Sequence, residues 1–231
     1  MNITKLRQEL IKYYTRLQLT LHYGLGPYRP ERYWLSEWGW GSAEQWARKV
    51  KSPETLKAFE ERHRELEPRL KSELAESKAQ TALDLGCGCG HATAWLADYI
   101  KQVVGCDFMP YRLAFAREHF AKANTSYVLA DARSLPFSDE SFDVVYTGTV
   151  ISHIPMPDTL VAIGEVKRVL KSTGFMFLSE IVLLESMEPT YEKGYHVIRP
   201  TLECRRLWFH PLVVTYDREI KMMVVRKSER V

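Results

Sequence analysis

Residues 82–90 read ALDLGCGCG, and this stretch decides the fold of the chain. An apolar segment ends near Asp84, three glycines then alternate with Cys87 and Cys89, and a helical pattern begins at His91. Alternating glycines at a turn from strand to helix allow a ligand to approach the backbone, because no Cβ stands in the way. The stretch therefore predicts a strand, a ligand-binding turn and a helix in succession.

The charge of Asp84 narrows the class of ligand. A carboxylate in front of the glycines would repel a phosphate, whereas it would attract a cationic or amine-bearing ligand. A nicotinamide dinucleotide loop also follows the pattern G-x-G-x-x-G, which requires a small residue where this chain has His91. These observations favour a ligand such as S-adenosylmethionine over a nucleotide that is held by its pyrophosphate.

Strands and helices alternate outward from this stretch. Strands are predicted at 81–85, 102–106, 126–130, 142–147 and 174–180, with helices at 91–100, 110–123 and 157–170 between most of them. This order is typical of a parallel sheet that is covered by helices on both faces. Near the end, 212–216 and 220–226 flank a polar turn and predict two antiparallel strands that close the sheet.

An aromatic-rich segment precedes the sheet. Residues 1–78 predict an N-terminal helical cap or lid, and 79–231 predict a Rossmann-like domain. Four of the six tryptophans lie close together in the cap. They either form its core or line the acceptor pocket, where aromatic faces attract a sulfonium cation and exclude water. The two roles are compatible, and Tyr33, Trp34 and Trp40 are the candidate site contacts.

The second half of the cap predicts one long helix. Ser52 is expected to cap its N-terminus, with Pro53 in the first turn. Apolar residues and His63 then recur at spacings of three and four over 56–74, which indicates one buried face. Pro68 interrupts this pattern and is expected to kink or split the helix.

Bulk composition limits the classes of function. A hydrophobic content of 45% and a charged content of 26% are typical of a soluble globular protein. The net charge of +3 offers no strong electrostatic case for nucleic acid or a membrane surface. We find neither a signal-peptide core nor an apolar run near the ~20 residues of a membrane helix, and we expect a cytoplasmic protein. The four cysteines are expected to be reduced and packed, with no metal site, although metal or redox chemistry stays a lesser alternative.

The predicted strand ends carry the residues that suit a nucleoside ligand. In an open parallel sheet, ligands bind at the carboxyl ends of the strands. Asp107 follows Gly86 by 21 residues, and an acid at that distance can accept both hydroxyls of a ribose. Asp131 can accept the exocyclic amine of adenine while the Ala132 backbone reaches a ring nitrogen, although both aspartates could instead cap helices. Residues 147–149 read TGT, small residues that are suited to close backbone contact.

Four ordered motifs give the chain a resemblance to a known family. They read ALDLGCGCG at 82–90, VVGCDFMP at 103–110, LADARSLPFSDESFDVVYT at 129–147, and SHIP at 152–155 followed by EVKRVLKSTGFMFLSE at 165–180. In these motifs the chain resembles the class I S-adenosylmethionine-dependent methyltransferases, closely over 81–180 and loosely over 181–226. The resemblance implies a three-layer α/β sandwich with a mostly parallel seven-stranded sheet whose last strand is antiparallel.

The resemblance also implies which residues hold the cofactor, S-adenosylmethionine. They share a position at or just after a strand end: Asp84, Gly86, Gly88, Gly90, Asp107, Phe108, Met109, Asp131, Ala132, Thr147 and Thr149. Asp84 and the Gly86 backbone are expected to hold the methionine part, with Gly88 and Gly90 keeping the loop close to it. Asp107 is expected to bind the ribose, Phe108 or Met109 to pack on adenine, and the backbone around residues 147–149 to face the methionine amino end.

Catalytic residues are harder to identify. His153 follows the fourth strand, where a base could serve a methyl acceptor, but packing or a hydrogen bond is the simpler role. Glu180 at the end of the fifth strand has the same status. His196 and Arg199 could border the active site, and such an arginine could hold a substrate carboxylate or phosphate. The alternative for these two residues is a solvated loop.

The predicted activity is methyl transfer to a nucleophilic nitrogen or oxygen by in-line displacement. A small acceptor with an apolar or aromatic part is favoured, and a protein or peptide acceptor stays open. Nucleic acid is disfavoured, because residues 147–150 read TGTV in place of an Asp/Asn-Pro-Pro-Tyr/Phe motif and no basic stripe is present. The other hypotheses are an inactive cofactor-binding regulatory partner and, remotely, a dinucleotide-dependent oxidoreductase.

Overall fold

The structure is a computed structural model that describes residues 42–154, 158–179, 209–217, 219–220 and 222–227. In this part of the chain, the helices are α1 (Ala43–Val50), α2 (Pro53–Ser77), α3 (His91–Leu96), α4 (Pro110–His119) and α5 (Asp158–Val169). The strands are β1 (Thr81–Leu85), β2 (Gln102–Asp107), β3 (Thr125–Leu129), β4 (Phe142–Gly148), β5 (Leu170–Ser179), β6 (Val213–Asp217) and β7 (Met222–Arg226). None of these helices is long and apolar enough to cross a membrane.

The strands form one sheet in the order β3-β2-β1-β4-β5-β7-β6. The first five strands in this order pair in parallel, and β7 runs antiparallel to both β5 and β6. This arrangement confirms the predicted mostly parallel seven-stranded sheet with an antiparallel last strand. Since β1 lies between β2 and β4, the chain reverses its direction of winding there, and the carboxyl ends of these strands open a crevice.

Alternation along the strands divides the apolar residues between two cores. Leu83 and Val145 point to the core beneath α5, whereas the neighbouring Ala82 and Val144 point to the core beneath α2 and α3. The same period of two separates Met176 from its neighbours in β5. The molecule therefore has three layers, as predicted, with helices on both faces of the sheet.

Helix α2 begins as its sequence predicts but is not split. The Ser52 hydroxyl accepts a hydrogen bond from the Thr55 N–H at 3.2 Å, which caps the helix. Of the kink or split expected at Pro68, the split does not occur, because α2 continues through the proline to Ser77. Leu66 and Leu70 on either side of the proline are fully buried in the core, and this burial offsets the lost backbone hydrogen bond.

Helix α3 ends four residues earlier than predicted. It stops at Leu96, and the following turns place the side-chain amide of Asn124 within 2.8 Å of the Ala97 carbonyl and 3.0 Å of the Ile100 carbonyl. These carbonyls thus have a side-chain partner from the β3 side of the sheet, which replaces a continued helix.

Asp143 is half-buried and holds three strands together. Its carboxylate accepts hydrogen bonds from the Thr81 N–H at 3.0 Å and the Thr81 hydroxyl at 2.8 Å, and from Lys171 Nζ at 2.9 Å. Desolvation would raise the pKa of Asp143, but the hydrogen bonds from Lys171 and Thr81 outweigh it and lower that pKa. The residue therefore joins the starts of β1, β4 and β5.

Helix α2 is tied to the sheet by a buried ion-pair cluster. Glu73 is 3% exposed, and its carboxylate pairs with Arg226 of β7 and, at 2.9 Å, with Arg69 one turn earlier. The described end of the predicted cap is thus a layer of the main core. The domain boundary near residue 78 remains a prediction.

Candidate active site

A cavity of about 380 Å³ opens at the carboxyl ends of the parallel strands. Its walls come from the glycine loop at 86–90, the ends of β2 to β5, and the inner faces of α1 and α2. A cavity of this size lies within the usual range for small-molecule sites. The crevice predicted from the strand order is therefore a formed pocket.

Most of the predicted cofactor residues meet at this cavity. Those that line it are Asp84, Gly86, Gly88, Asp107, Phe108, Asp131, Ala132, Thr149 and the candidate base His153. Gly90, Met109 and Thr147 lie behind its wall, where Met109 and Thr147 are buried. The remaining candidates, Tyr33, Trp34, Trp40, Glu180, His196 and Arg199, lie outside the described residues.

The glycines of the loop have different surroundings. Gly86, Gly88 and Gly90 all have positive φ values, of 70°, 52° and 86°, which favour glycine. A Cβ on Gly88 would meet no atom within 4 Å, so this glycine leaves open space at the cavity wall. A Cβ on Gly90 would lie 2.7 Å from the Tyr127 hydroxyl and 2.8 Å from the Ala116 Cβ. Gly90 thus allows the loop to pack against α4 and β3.

Asp107 connects the glycine loop to the turn before α4. One carboxylate oxygen accepts from the Gly88 N–H at 3.0 Å, and the other accepts from the Met109 N–H at 2.9 Å. Burial raises the pKa of Asp107, while Arg112, 3.8 Å away, opposes that rise. Met109, not Asp107, occupies the N-cap position of α4. A carboxylate has about four lone-pair positions, so this group retains capacity for two hydroxyl donors.

Asp84 is a buried acid on β1 at the centre of the site. Its carboxylate accepts a hydrogen bond of 2.6 Å from the Thr93 hydroxyl in α3. Burial, the largest influence, and the nearby charge of Asp107 raise the pKa of Asp84 to about 7. A cationic group bound beside this carboxyl would stabilise its ionised form.

Asp131 is held by Arg133, which the sequence had not indicated. The guanidinium donates to both carboxylate oxygens, from Nε at 3.0 Å and from Nη2 at 2.6 Å, and it also reaches Asp158 at 2.8 Å. Desolvation would raise the pKa of Asp131, but the bonds from Arg133 outweigh it and lower that pKa. Asp131 is therefore a fixed anion at the β3 end of the cavity.

The β4 end of the site consists of a strained turn. Thr149 has a φ of 55° and donates its N–H to the Ser179 carbonyl at 3.1 Å, which joins the ends of β4 and β5. The hydroxyl of Thr147 is buried and has no hydrogen-bond partner in the described part of the chain. His153 closes a short 3-10 turn, Ile151–His153, at the edge of the cavity.

Helices α2 and α3 form another wall of the cavity, and two of its α2 residues belong to the face that was predicted to be buried. Phe59, Arg62 and His63 of α2 and His91 of α3 line the cavity. The His63 ring stacks on Trp95 with centroids 4.4 Å apart and on His91 at 4.9 Å. Burial lowers the pKa of His63 to about 3 and also lowers that of His91, so both rings are neutral at physiological pH. The helical spacing placed Phe59 and His63 on a buried face, but it could not show that this face borders a cavity.

Trp46 of α1 forms the wall beside Asp107. It packs edge-on against Tyr111 and Phe115, with centroid distances of 5.4 and 5.2 Å, and the Arg112 guanidinium lies 5.4 Å from its ring centroid. Trp46 is both 3% exposed and part of the cavity lining. Trp46 therefore both packs against α4 and lines the cavity, and its contact with an acceptor stays a prediction.

Three of the four cysteines surround the glycine loop as packed thiols. Cys87, Cys89 and Cys106 are free and buried, and desolvation raises the pKa of each. They are uncharged at neutral pH, which fits the predicted packing role. Within 42–154 and the other described segments, no group of three or more metal-ligating side chains is arranged to hold a metal ion.

Comparisons with known proteins agree with this geometry. A family model described as a methyltransferase domain matches residues 83–178. A demethylmenaquinone methyltransferase of Staphylococcus aureus is 36% identical over 134 residues, which cover 56% of this chain and 53% of the relative. The chain thus spans about half the length of the curated relatives that it matches.

Solved structures share the fold. A Pyrococcus horikoshii protein superposes with a TM-score of 0.59 at 24% identity, covering 78% of this chain and 93% of its own. A SAM-dependent methyltransferase from Aquifex aeolicus superposes with a TM-score of 0.56 at 18% identity, covering 80% and 96%. The sheet order and the glycine loop agree with the fold of these structures, and residues 83–178 match the methyltransferase-domain family model.

Proposed function

We propose that this protein transfers a methyl group from S-adenosylmethionine to a nucleophilic nitrogen or oxygen of a small-molecule acceptor. The observation that carries the proposal is the open space at Gly88 beside the Asp107 carboxylate, which we call the Gly88 cradle. The missing side chain of Gly88 leaves this space open, while the Gly88 N–H donates to Asp107 at 3.0 Å. An open backbone next to a fixed, buried carboxylate suits a nucleoside whose ribose needs two acceptors.

The residues around this cradle fit the cofactor part by part. Asp107 would take the ribose hydroxyls, and the half-buried Phe108 would pack on the adenine. Asp131, fixed by Arg133, would accept from the adenine amine through its remaining lone pairs. Asp84 would hold the ammonium of the methionine part, and its buried charge would favour the sulfonium nearby. The bound cofactor supplies a methyl group that is already activated for displacement.

The protein's part in the reaction is orientation and exclusion of water. Phe59, His63 and Tyr146 form an apolar and aromatic side of the cavity, against which an acceptor would lie. An amine acceptor needs only a proton sink after attack, whereas a hydroxyl acceptor needs a base during it. His153 at the cavity edge is our candidate for that base, and Glu180 stays a second candidate from the sequence.

The relatives support a small acceptor with an apolar part. The Staphylococcus aureus enzyme is named for demethylmenaquinone, and the aromatic wall of this cavity suits a planar group of that kind. A protein or peptide acceptor is the second candidate. We also retain a cytoplasmic location as a proposal. The remote oxidoreductase hypothesis is not proposed, because the family match is to a methyltransferase domain.

Calorimetric titration with S-adenosylhomocysteine tests the proposal. We expect micromolar binding by the unaltered protein and a loss of roughly 10- to 100-fold in Asp107→Ala, because charged hydrogen bonds are removed. Asp139→Ala is the matched control, since Asp139 is an exposed aspartate whose side chain is 76% accessible. A mass-spectrometric acceptor screen for the gain of one methyl group follows.

Each outcome of that titration discriminates between the hypotheses. Absence of binding by the unaltered protein would contradict the proposed function. Binding without turnover on any acceptor would favour the inactive regulatory partner. If Asp107→Ala and Asp139→Ala lose the same affinity for S-adenosylhomocysteine, the assignment of Asp107 to the ribose is contradicted.

A further inference from the structure

One charged side chain on the cavity wall has no role in the site described so far. Arg62 lies on the inner face of α2, and its guanidinium reaches across the cavity mouth to Ser179 at the end of β5. Both residues line the cavity. Since α2 is anchored to the core by Leu66 and to β7 by Glu73, the base of this arginine is firmly placed.

The hydrogen bonds of Arg62 use an edge of the guanidinium that suits a carboxylate. Nε and Nη2 both donate to the single hydroxyl oxygen of Ser179, at 3.1 and 3.0 Å. This edge of a guanidinium matches the two oxygens of a carboxylate, and two charge-assisted bonds are stronger than two bonds to one neutral hydroxyl. The hydroxyl therefore occupies the position that a ligand carboxylate would take. The remaining Nη1 pairs with the exposed Glu65 at 3.0 Å, outside the cavity lining.

Strand register places this arginine at the methionine end of the cavity. Leu85 pairs with Thr147, and the next residue of β4, Gly148, pairs with Ser179. Gly86 is thus level with Ser179 two strands away, a separation of roughly 10 Å at the usual strand spacing. The cavity between them would hold the methionine part and the acceptor, and both could present a carboxylate to Arg62.

We propose that Arg62 is the carboxylate-binding residue of this cavity and that the Ser179 hydroxyl holds its guanidinium in place until a carboxylate replaces that hydroxyl. The proposal rests on the proposed function. It adds that one of the molecules bound in the cavity has a carboxylate, which Arg62 recognises. That group is either the carboxylate of the cofactor's methionine part or a carboxylate of the acceptor. Asp84 and Arg62 would then hold the opposite charges of the bound molecules at separate points of one cavity.

Calorimetry with two related ligands separates the two sources. S-adenosylhomocysteine contains the amino-acid carboxylate, whereas 5′-methylthioadenosine has the same nucleoside and sulfur without it. A third titration adds benzoate, an aromatic carboxylate, to protein saturated with S-adenosylhomocysteine. The variants are Arg62→Met, Arg62→Lys and Ser179→Ala, and the control is Arg64→Met, which removes the same charge two positions along α2.

Two results would support the proposal, and each identifies one source. If Arg62 binds the cofactor, Arg62→Met weakens S-adenosylhomocysteine roughly 10- to 100-fold and leaves 5′-methylthioadenosine unchanged. If it binds the acceptor, both nucleosides are unaffected and benzoate binding is lost. In either case Arg62→Lys has an intermediate effect, because a lysine keeps the charge without the planar edge. Ser179→Ala has a smaller effect, and Arg64→Met has none.

Other results would overturn it. Equal weakening of both nucleosides by Arg62→Met would indicate a general distortion of the site, and no effect on any of the three probes would remove Arg62 from ligand binding. Thermal denaturation of each variant monitors folding, and Arg62→Lys carries the test if Arg62→Met does not fold. Absence of S-adenosylhomocysteine binding in the unaltered protein would instead contradict the proposed function itself.

Discussion

At the residue scale, the site depends on acids that the fold keeps out of water. Asp84 is 1% exposed, and the Thr93 hydroxyl is its hydrogen-bond donor. Burial moves the ionisation of this acid to near-neutral pH, so ligand binding and proton release are linked at this position where the carboxyl is still protonated.

This linkage predicts how affinity depends on pH. The pKa of Asp84 in the free protein is raised to about 7, and a ligand ammonium pairs with the ionised form. Below pH 7 the carboxyl must first lose a proton, so the affinity for S-adenosylhomocysteine falls by about tenfold per pH unit there and levels off above it. Calorimetry between pH 6 and 8 measures the slope and the released proton.

Asp84→Asn is the control for that pH dependence. The amide does not titrate but can still accept from Thr93, so the variant should bind more weakly and with a flat pH profile. A profile of the unaltered protein that is flat, or that rises as the pH falls, would contradict the assignment of the ammonium to Asp84.

Gly88 and Gly90 are predicted to respond differently to an added methyl group. In Gly88→Ala, the added methyl group meets open space, so the cost of folding is limited to a positive φ, about 1–2 kcal/mol, while the ligand loses its approach. In Gly90→Ala, the methyl group overlaps Tyr127 and Ala116, so folding is impaired more strongly. Melting temperatures and S-adenosylhomocysteine affinities should therefore rank the two variants in opposite orders. The same ranking in both measurements would show that the two glycines act alike.

At the element scale, α2 serves both the core and the site. Leu66 and Leu70 are fully buried against the sheet, Glu73 pairs with Arg226 of β7, and Arg62 reaches β5. Local sequence predicted the start of this helix, but of the kink or split expected at Pro68 the split does not occur. Helix propensity is a local quantity, whereas the burial that keeps the helix continuous comes from residues far away in the chain.

The ion pair between α2 and β7 predicts a third result. Arg226→Met removes one charged partner of the buried Glu73, and Arg69 is retained. Removing one partner of a buried pair costs about 3–5 kcal/mol, and we expect the retained Arg69 to place this variant near the lower value. Denaturant unfolding measures the change in free energy. The control is Lys57→Met, which breaks an exposed pair with Glu61 on the same helix and should cost less than about 1 kcal/mol. If both variants lower the free energy of unfolding equally, the buried pair of Glu73 and Arg226 contributes no more to stability than the exposed pair of Lys57 and Glu61.

At the scale of the whole molecule, strand order creates the site. Asp84, Asp107 and Asp131 are far apart in the chain, and the order β3-β2-β1 brings the ends of their strands together at one edge of the sheet. Helices α1 and α2, which precede the sheet in the chain, line the cavity at this edge. Trp46 of α1 lies on the side of Asp107, and Arg62 of α2 donates a hydrogen bond to Ser179. The described helices before the sheet therefore line the cavity and also form part of the core.

The alternation of strands and helices, the glycine loop and the acids at the strand ends can all be predicted from the residues alone. These features follow from local periodicity and from residue types whose chemistry acts where they stand in the chain. That Asp143 joins three strands and that Arg62 faces the cavity depends on tertiary packing. Such contacts join residues whose separation in the chain has no periodic pattern, because they depend on which helix packs over which strand end.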